Sequence, residues 1–258
     1  MKIKLPGCLF VLALCLAAMS KSFAQDTTVV KNTWYYLLQV YAMFPGMEGT
    51  IGLGELPDAS INASTDDIFN NLQFSAMLYF EAHNDRWAIT SDIIYMHLEQ
   101  EVAGKGGIVK GKAGAKQFVW EAAGLRKIKP WFDAGIGLRL VNISSSLNLE
   151  VDSTAAGGGN KSRSISKTWV DPIIIGRLKL PAGNRWLFQL RADVGGFGIG
   201  SDFAWQAQAD VYYSFFKLFR LGLGYRIIGI DYEKGTGNDR FLYDVDTYGM
   251  SLKFGLNF

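Results

Sequence analysis

The sequence predicts an all-β chain that forms a single antiparallel transmembrane β-barrel of about ten strands. Three observations predict it. Long segments alternate between apolar and polar residues, short and long connectors alternate between those segments, and tryptophans stand at the segment ends. Together these features are typical of up-and-down barrels with short periplasmic turns and long external loops.

The last segment shows the alternation most clearly. From Tyr248 to Phe258 every second residue is apolar, and the residues between them are small or polar. A period of two indicates a strand, because successive side chains of a strand point to opposite faces of the sheet. The same pattern predicts ten strands, at 33–44, 74–83, 86–98, 116–127, 131–143, 168–180, 185–195, 203–215, 218–230 and 244–258.

The length of these segments favours a membrane barrel over a soluble one. Strands usually have about 5–6 residues, whereas a tilted strand that crosses a bilayer needs about 9–11. A soluble barrel or sandwich also alternates, with its apolar face turned inward. The parity of a residue, meaning which of the two alternating faces of the strand it lies on, does not separate a membrane barrel from a soluble one. Strand length, connector asymmetry and tryptophan placement do.

The connectors differ in length at the two ends of the predicted strands. The short ones follow the even strands, at 84–85, 128–130, 181–184 and 216–217. The long ones follow the odd strands, at 45–73, 99–115, 144–167, 196–202 and 231–243. An even number of strands puts both termini on the side of the short turns, which is the periplasmic side of such barrels.

Aromatic residues are predicted at both membrane interfaces, where bilayers favour them. Four tryptophans begin odd strands and belong at the short-turn rim, while two begin even strands and belong at the opposite rim. With the terminal phenylalanine, the predicted interface aromatics are Trp34, Trp87, Trp131, Trp186, Trp169, Trp205 and Phe258.

The first long connector is the least regular part of the chain. Ser64 or Thr65 is suited to cap a short helix over 66–72 that has acidic residues in its first turn. Before it, 49–54 and 59–64 form a candidate hairpin. If that hairpin reached the membrane, the barrel would have twelve strands, so ten is the prediction and twelve the alternative.

Residues 1–24 have the features of a secretory signal peptide, which leaves 25–258 as the barrel domain. Lys2 and Lys4 precede an apolar stretch, 9–19, and 22–24 forms a small-x-small cleavage site. Cleavage would remove both cysteines, so we expect no disulfide and no cysteine-bound metal. It would also lower Lys and Arg from 26 to 23 against 24 Asp and Glu, so the net charge of +2 becomes −1.

The composition narrows the classes of function. Of 258 residues, 49% are hydrophobic and 19% charged, which excludes a disordered chain. Beyond the first twenty-odd residues no apolar run approaches the roughly 18 residues of a membrane helix. With no basic excess after cleavage, we expect no nucleic-acid partner, and nothing in the sequence indicates a cofactor or a metal site.

Two segments carry a resemblance to known proteins. The alternating chain end with its terminal aromatic, Tyr248 to Phe258, resembles the C-terminal assembly signal of bacterial outer-membrane barrels. The stretch GGFGIGSDFAWQ, 195–206, is similar to a strand–loop–strand segment of a group of small outer-membrane barrels of Gram-negative bacteria. The resemblance implies a location in the outer membrane and recognition of the last strand by the barrel-assembly machinery. It implies no activity.

Enzyme chemistry has few candidate residues. His97, predicted at the outer end of a strand, would need an acid such as Asp202 or Asp244 for an omptin-like protease. A lipid hydrolase needs a serine beside its histidine, and Ser91 lies six residues along the strand, about 20 Å away at the usual rise. We therefore predict no catalytic residues, and an outer-membrane hydrolase is the alternative of another class.

Charged residues on the strand face opposite the apolar one predict a polar lumen. Buried charges are tolerated when they are paired or hydrated, and six acids and seven bases suit a network across the lumen. These predicted lumen residues are Glu81, Asp92, Glu121, Asp133, Asp193, Asp210, Arg139, Arg177, Lys179, Arg191, Arg220, Arg226 and Lys253.

The predicted role is structural or surface-interactive. Barrels of about ten strands are narrow and filled by side chains, so we expect a plugged lumen, with a narrow passive channel for small solutes as the alternative. The expected partners are outer-membrane lipid and lipopolysaccharide, which the external loops would contact.

Overall fold

Eleven strands and one short α-helix make up the described chain. The structure, a computed structural model, describes residues 33–55, 57–103, 109–151 and 159–258. The predicted signal peptide, 1–24, lies outside these residues. The elements are β1 Tyr35–Leu53, β2 Ala59–Ala63, α1 Thr65–Asn70, β3 Leu72–His83, β4 Trp87–Ala103, β5 Val109–Lys129, β6 Phe132–Val151, β7 Gly159–Ala182, β8 Trp186–Gly195, β9 Phe203–Ser214, β10 Phe219–Lys234 and β11 Phe241–Asn257.

Ten of the strands close into a barrel. β3 to β11 pair antiparallel in chain order, β3 pairs with β1, and β1 pairs with β11 to complete the ring. β2 is the extra strand and pairs only with the upper part of β1, through Met47–Ile51. The predicted ten-stranded up-and-down barrel is therefore confirmed, and the twelve-stranded alternative is wrong because β2 does not enter the ring.

The short connectors all lie at one rim, together with both ends of the described chain. They occupy 84–86, 130–131, 183–185 and 215–218. In the first of them, the Asn84 side chain accepts hydrogen bonds from the backbone N–H groups of Arg86 and Trp87, both at 2.8 Å. Such a side-chain bond to the backbone two and three residues on is what suits asparagine to tight turns.

An apolar belt surrounds the barrel on its outward face. On β6 the outward residues Ile136 and Leu138 are 70% and 57% exposed, and the outward residue Asn142 follows above them. On β6 the outward residues thus change from apolar to polar at Asn142. On β7 the same change from apolar to polar falls between Val170 and Thr168. The belt is about nine residues high along a strand, which matches the length that a tilted strand needs to cross a bilayer.

Four neighbouring strands continue well above the belt. β4, β5, β6 and β7 contain 17, 21, 20 and 24 residues. The external excursions predicted at 99–115 and 144–167 are present, but most of their residues extend these strands. Above the belt the outward face of these strands is polar, while inward residues such as Ile143 and Ile165 still pack in the interior. The backbone pairing continues there.

The first long connector contains both features that the sequence suggested. β1 runs on to Leu53, turns, and returns as β2, and α1 follows. Ser64 caps α1: its hydroxyl accepts from the backbone N–H of Asp67 at 3.2 Å, and the Asp67 carboxylate accepts from the backbone N–H of Ser64 at 3.0 Å. This reciprocal pair is a capping box. Among the described residues, no helix has the length and hydropathy to cross a membrane.

Candidate functional site in the lumen

The predicted lumen charges lie on the inward face of the wall. Lys179 and Arg220 are half-buried near the short-turn rim. The other eleven are buried: Glu81, Asp92, Glu121, Asp133, Arg139, Arg177, Arg191, Asp193, Asp210, Arg226 and Lys253. Their position follows from strand parity, since each lies on the face opposite the apolar belt.

Arg177 on β7 holds the part of the network nearest the short-turn rim. Its guanidinium donates to Glu81 on β3 and, at 2.7 and 3.0 Å, to Asp133 on β6. It also donates to the Tyr79 hydroxyl at 3.2 Å, which in turn donates to Glu81 at 2.6 Å. Lys179 adds a second cation to Asp133 at 2.8 Å. One buried arginine thus bridges three strands across the lumen.

Two further arginines form a compact cluster with two acids in the middle of the barrel. Arg139 donates to Glu121 at 2.9 Å and to Asp193 at 2.6 Å. Arg191 bonds the same two carboxylates, Asp193 at 3.1 Å and Glu121 more closely. All four side chains are at least nine-tenths buried. The two cations and two anions neutralise each other, which is the condition for keeping such charges out of water.

The third group joins β10 and β11 to side chains on β1, β4 and β9. Arg226 donates to Asp92 on β4 at 2.9 Å and to the Tyr41 hydroxyl on β1 at 3.0 Å. Lys253 on β11 contacts Asp210 on β9 at 2.6 Å. The Arg226–Asp92 contact crosses the lumen between strands four positions apart in the ring, whereas Tyr41 and Asp210 each lie two strands from their partner.

Little space remains at this level of the lumen. A cavity of about 20 Å³ lies among side chains of the first and third groups, including Tyr41, Tyr79, Arg177 and Arg226. A single water molecule needs about 10–15 Å³ of such space. The cavity therefore holds about one water, and the arrangement is suited to bridging walls rather than to binding a solute.

Uncharged and acidic partners of the network were missed by sequence reasoning. Tyr41, Tyr79 and Gln206 supply hydroxyl and amide groups to the arginines. Inward parity was the signal that would have found Tyr79 and Gln206, since 79 is two residues from Glu81 and 206 is four from Asp210. Tyr41 lies on β1, where no lumen charge was predicted. Asp171, fully buried, was missed in the same way.

The prediction that Trp169 lies at the membrane interface is wrong. It is buried inside the barrel, where its ring stacks on Tyr232 with centroids 4.0 Å apart and its indole N–H donates to Asp171 at 3.1 Å. Trp169 shares the odd parity of Asp171 and Arg177, which places it on the inward face. Its position at a strand start was a weaker guide than its parity.

The other predicted aromatics face outward or stand at a rim. Trp87, Trp131 and Trp186 are about half exposed at the short-turn rim, and Trp34 is half-buried there. Trp205 is half-buried on the outward parity of β9, on the external half of that strand. Phe258 is exposed, and its ring stacks on Tyr36 at the junction of β1 and β11, with centroids 5.7 Å apart.

Apolar side chains replace charges in the external half of the lumen. Thirteen buried residues form one cluster there, to which Tyr41, Met47, Ile51, Leu53, Ile61 and Ile165 pack: Met43, Met77, Ile94, Val119, Val141, Ile143, Trp169, Ile228, Ile230, Tyr232, Phe241, Tyr243 and Val245. The interior therefore has two layers, a charged layer on the periplasmic side and an apolar layer above it.

Neither histidine of the described chain is arranged with a nucleophile. His83 lies at the short-turn rim, 3.3 Å from Glu81 and stacked on Tyr35. His97 faces outward on β4 beside Lys116 of β5. The Ser91 hydroxyl accepts a hydrogen bond from the Trp120 indole at 3.1 Å. Among the described residues, no three His, Cys, Asp or Glu side chains are grouped to hold a metal ion.

A closed antiparallel ring, an outward apolar belt of bilayer height and short turns at one rim occur together in one class of membrane protein. The chain is an outer-membrane β-barrel. The short-turn rim is accordingly periplasmic, and the extended strands β4 to β7 rise on the external side.

Comparisons with known proteins show only distant likenesses to this outer-membrane barrel. No protein-family model and no curated protein matches the chain. The outer membrane protease OmpT from Escherichia coli is similar over 91% of this chain and 99% of its own, at 8% identity and a TM-score of 0.49. Ail of Yersinia pestis, the attachment invasion locus protein, matches over 88% and 99% at 10% identity and a TM-score of 0.36. Neisserial surface protein A is similar over 87% of this chain and 97% of its own, at 12% identity and a TM-score of 0.35.

A clasp of ion pairs closes the external tip of the β1–β2 hairpin against the β10–β11 loop. Arg240 donates to both carboxylate oxygens of Asp58, at 2.6 and 3.1 Å, and to Glu233 at 2.6 Å. Its backbone carbonyl accepts from the N–H of Gly54 at 2.8 Å. The hydrogen bonds from Arg240 hold the pKa of Asp58 below its ordinary value.

We expect the clasp to open in acid. Because the pKa of Asp58 is lowered in the folded barrel, the contact is complete above the ordinary aspartate pKa of about 3.9 and is lost as the pH falls through the lower folded value. Spin labels on cysteines at Ser60 and Asn238 would report a broadened distance distribution in acid. Arg240→Gln should give the same broadening at neutral pH. Unchanged distances in both cases would show that the clasp does not hold the hairpin.

Proposed function

We propose that this outer-membrane barrel is a closed, non-conducting and non-enzymatic protein that acts at the cell surface through its external wall. The observation that carries the proposal is the lumen network. Arg177, Arg139 and Arg226 each bridge acids or hydroxyls on separate strands, and about one water fits among them. A solute path would require these buried pairs to separate, which leaves charges unpaired at high cost.

The alternatives have less support. A passive channel needs an open polar path, and small barrels are filled by side chains while open channels occur in barrels of about sixteen strands. An enzyme of the protease or hydrolase kind needs a histidine positioned on an acid or a serine. His97 instead faces outward, and Asp202 and Asp244 lie on or beside strands on the other side of β1.

The surface role is supported by the band of residues directly above the belt on β4 to β7. There Lys116 and His97 stand opposite each other on neighbouring strands, and Asn142 donates to the Thr168 hydroxyl at 2.7 Å. Hydroxyl, amide and cationic groups at this height suit the sugars and phosphates of lipopolysaccharide. We propose lipopolysaccharide as the partner of this band, and the barrel-assembly machinery as the partner of the last strand, β11.

Lipopolysaccharide binding by this band is directly testable. Replacing Lys116 by Glu is expected to reduce the lipopolysaccharide retained by the purified barrel, because a cation that faces phosphate becomes an anion. The matched control is Lys234→Glu, on the far side of the barrel. An equal loss in both variants would point to general charge rather than to this band.

The closed lumen is tested by solute flux. Liposomes that contain the refolded barrel are expected to swell in isosmotic small sugars no faster than protein-free liposomes, because the charged layer leaves no continuous path. A general porin serves as the positive control. Swelling that depends on sugar size would contradict the closed lumen and favour the passive channel.

A further inference from the structure

The wall of the barrel has a break in its strand pairing between β1 and β3. The ladder joins Tyr35–Val40 to Leu78–His83 and ends there. Above it, among the described strands, residues 41–46 of β1 pair only with β11, and residues 72–77 of β3 pair only with β4, with a bulge between Leu72 and Phe74. Each strand thus leaves six residues without a strand partner on the edge that faces the other.

The break lies at the external edge of the apolar belt, since Met77 pairs with Ile94 and Phe74 with His97. Phe44 on β1 and Phe74 on β3 are outward residues along the two unpaired edges, and both are exposed. Sheet edges do not occur in contact with lipid, because their backbone N–H and C=O groups would be unsatisfied. An edge at this depth is tolerated where it is covered by protein or opens onto a cavity.

Helix α1 occupies the wall at the break. Phe69 stacks on Phe44 with ring centroids 5.3 Å apart, so this side of the helix faces the membrane. The next residue toward the N-terminus, Ile68, is only 3% exposed and points inward. The helix is six residues long and packs mainly against β1, so few contacts hold it in place.

A cavity of about 180 Å³ lies behind the helix, in the apolar layer of the lumen. Its lining includes Met47, Ile51, Ile61, Ile68, Met96 and Tyr243. Gln117 and Ser145, on the inward parity of β5 and β6, also border the cavity, as does the strand at Lys116, whose side chain lies on the outward parity. The cavity is partly open, and its volume is close to that of an apolar protein cavity of about 150 Å³ that binds benzene or xenon. The volume and lining therefore suit a small uncharged hydrocarbon group.

Two methionines lie on the inward face beside the break. Met43 of β1 and Met77 of β3 are both buried and belong to the apolar cluster. Methionine side chains are unbranched and flexible, so they repack readily around an entering group. Below the cavity, the charged layer of Arg139 and Arg226 blocks onward movement toward the periplasm.

We propose that this cavity is a binding site for a benzene-sized hydrocarbon group, which enters sideways from the outer membrane between β1 and β3 as α1 moves. In this proposal α1, through Ile68, separates the cavity from the break, and its movement opens the way in. The bound group is either a free aromatic molecule or the end of a lipid acyl chain, since both present the same apolar surface.

Binding is tested with fluorobenzene and ¹⁹F NMR on the barrel in lipid nanodiscs. A shifted, saturable resonance is expected, absent from empty nanodiscs. Ala63 also lines the cavity, so Ala63→Phe fills it and should weaken binding by about tenfold or more, because the added side chain occupies the space of the ligand. Ala192→Phe, on the lipid-facing side of β8, is the matched control and should bind as the native barrel does. Absence of a shifted resonance, or equal binding by both variants, would overturn the site.

A second experiment distinguishes a free aromatic molecule from a lipid acyl chain as the source of the bound group. Nanodiscs made from lipids with a terminal CF₃ on the acyl chain should show a shifted CF₃ resonance, lost in Ala63→Phe, if an acyl chain occupies the cavity. If a free aromatic molecule is the occupant, fluorobenzene alone gives the shift. Either pattern supports the site. The absence of both shifts would overturn it.

The route of entry is tested by fastening α1 to β1. Cysteines placed by Phe44→Cys and Phe69→Cys, joined through a cleavable bismaleimide, should slow fluorobenzene exchange by about tenfold or more while leaving equilibrium binding in place. The predicted barrel domain contains no other cysteine. Cleavage of the linker should restore fast exchange. Exchange that is equally fast with the linker intact would overturn lateral entry.

Discussion

Replacing Arg177 by alanine is expected to lower the free energy of unfolding of the barrel by about 3–5 kcal/mol, the usual cost of removing one partner from a buried ion pair. Arg177 bonds Glu81, Asp133 and Tyr79 while itself only 2% exposed. Without it Glu81 keeps its Tyr79 and His83 contacts but has no arginine beside it. Urea unfolding in phospholipid vesicles, followed by tryptophan fluorescence, measures the loss.

Arg220→Ala is the matched control for this substitution. Arg220 is also an inward arginine near the periplasmic rim, but its guanidinium lies over the Tyr212 ring at 4.4 Å, and no carboxylate of the described residues forms an ion pair with it. Its removal should cost about 1 kcal/mol or less. Equal losses in the two variants would show that the ion pairs add nothing beyond the volume of an arginine.

Replacing Ile136 by arginine is expected to cost about 2–4 kcal/mol, the penalty for a cation on the lipid face of a barrel at the bilayer midplane. Ile136 is the most exposed residue of the belt on β6 and lies at its middle height. No acid of the network is within reach, because every one lies on the inward face. The same urea titration in vesicles gives the free energy.

Ser164→Arg is the control for the belt. Ser164 is an exposed outward residue of β7, three outward positions above Val170, where the strand has left the belt. The same side chain should cost about 0–1 kcal/mol there, since the penalty falls toward the interface. A penalty that did not depend on height would contradict the position of the membrane on the barrel.

Strand parity made much of this structure predictable. Each membrane-spanning strand has buried charge on one face and exposed hydrocarbon on the other, which leaves a period-two pattern in the sequence. Residues 248–258 and 131–143 are two examples. The lumen charges were found because each lies on the parity opposite the belt. Parity also placed Arg139 and Asp193 on one interior, although their contact across 54 residues is a product of the closed ring.

The features that were missed lie where that pattern ends. Trp169 was assigned from its position at a strand start, although its parity agrees with Arg177. The upper halves of β5 to β7 were predicted as loops because their outward face is polar. On β6 a period-two pattern nevertheless continues there, with Ile143, Leu147, Leu149 and Val151 at positions that share the parity of Val141. The break between β1 and β3 has no local sequence signal, since it arises from where the ladder between two strands stops.

The closed lumen is tested most directly by single-channel recording of the purified barrel in planar lipid bilayers. The charged layer predicts no discrete current steps across the voltage range in which the barrel stays folded, with insertion verified by protease protection in the same membranes. Removal of Arg139 and Arg191 together should then allow steps, if the variant folds. Discrete, cation- or anion-selective steps in the native protein would contradict the account.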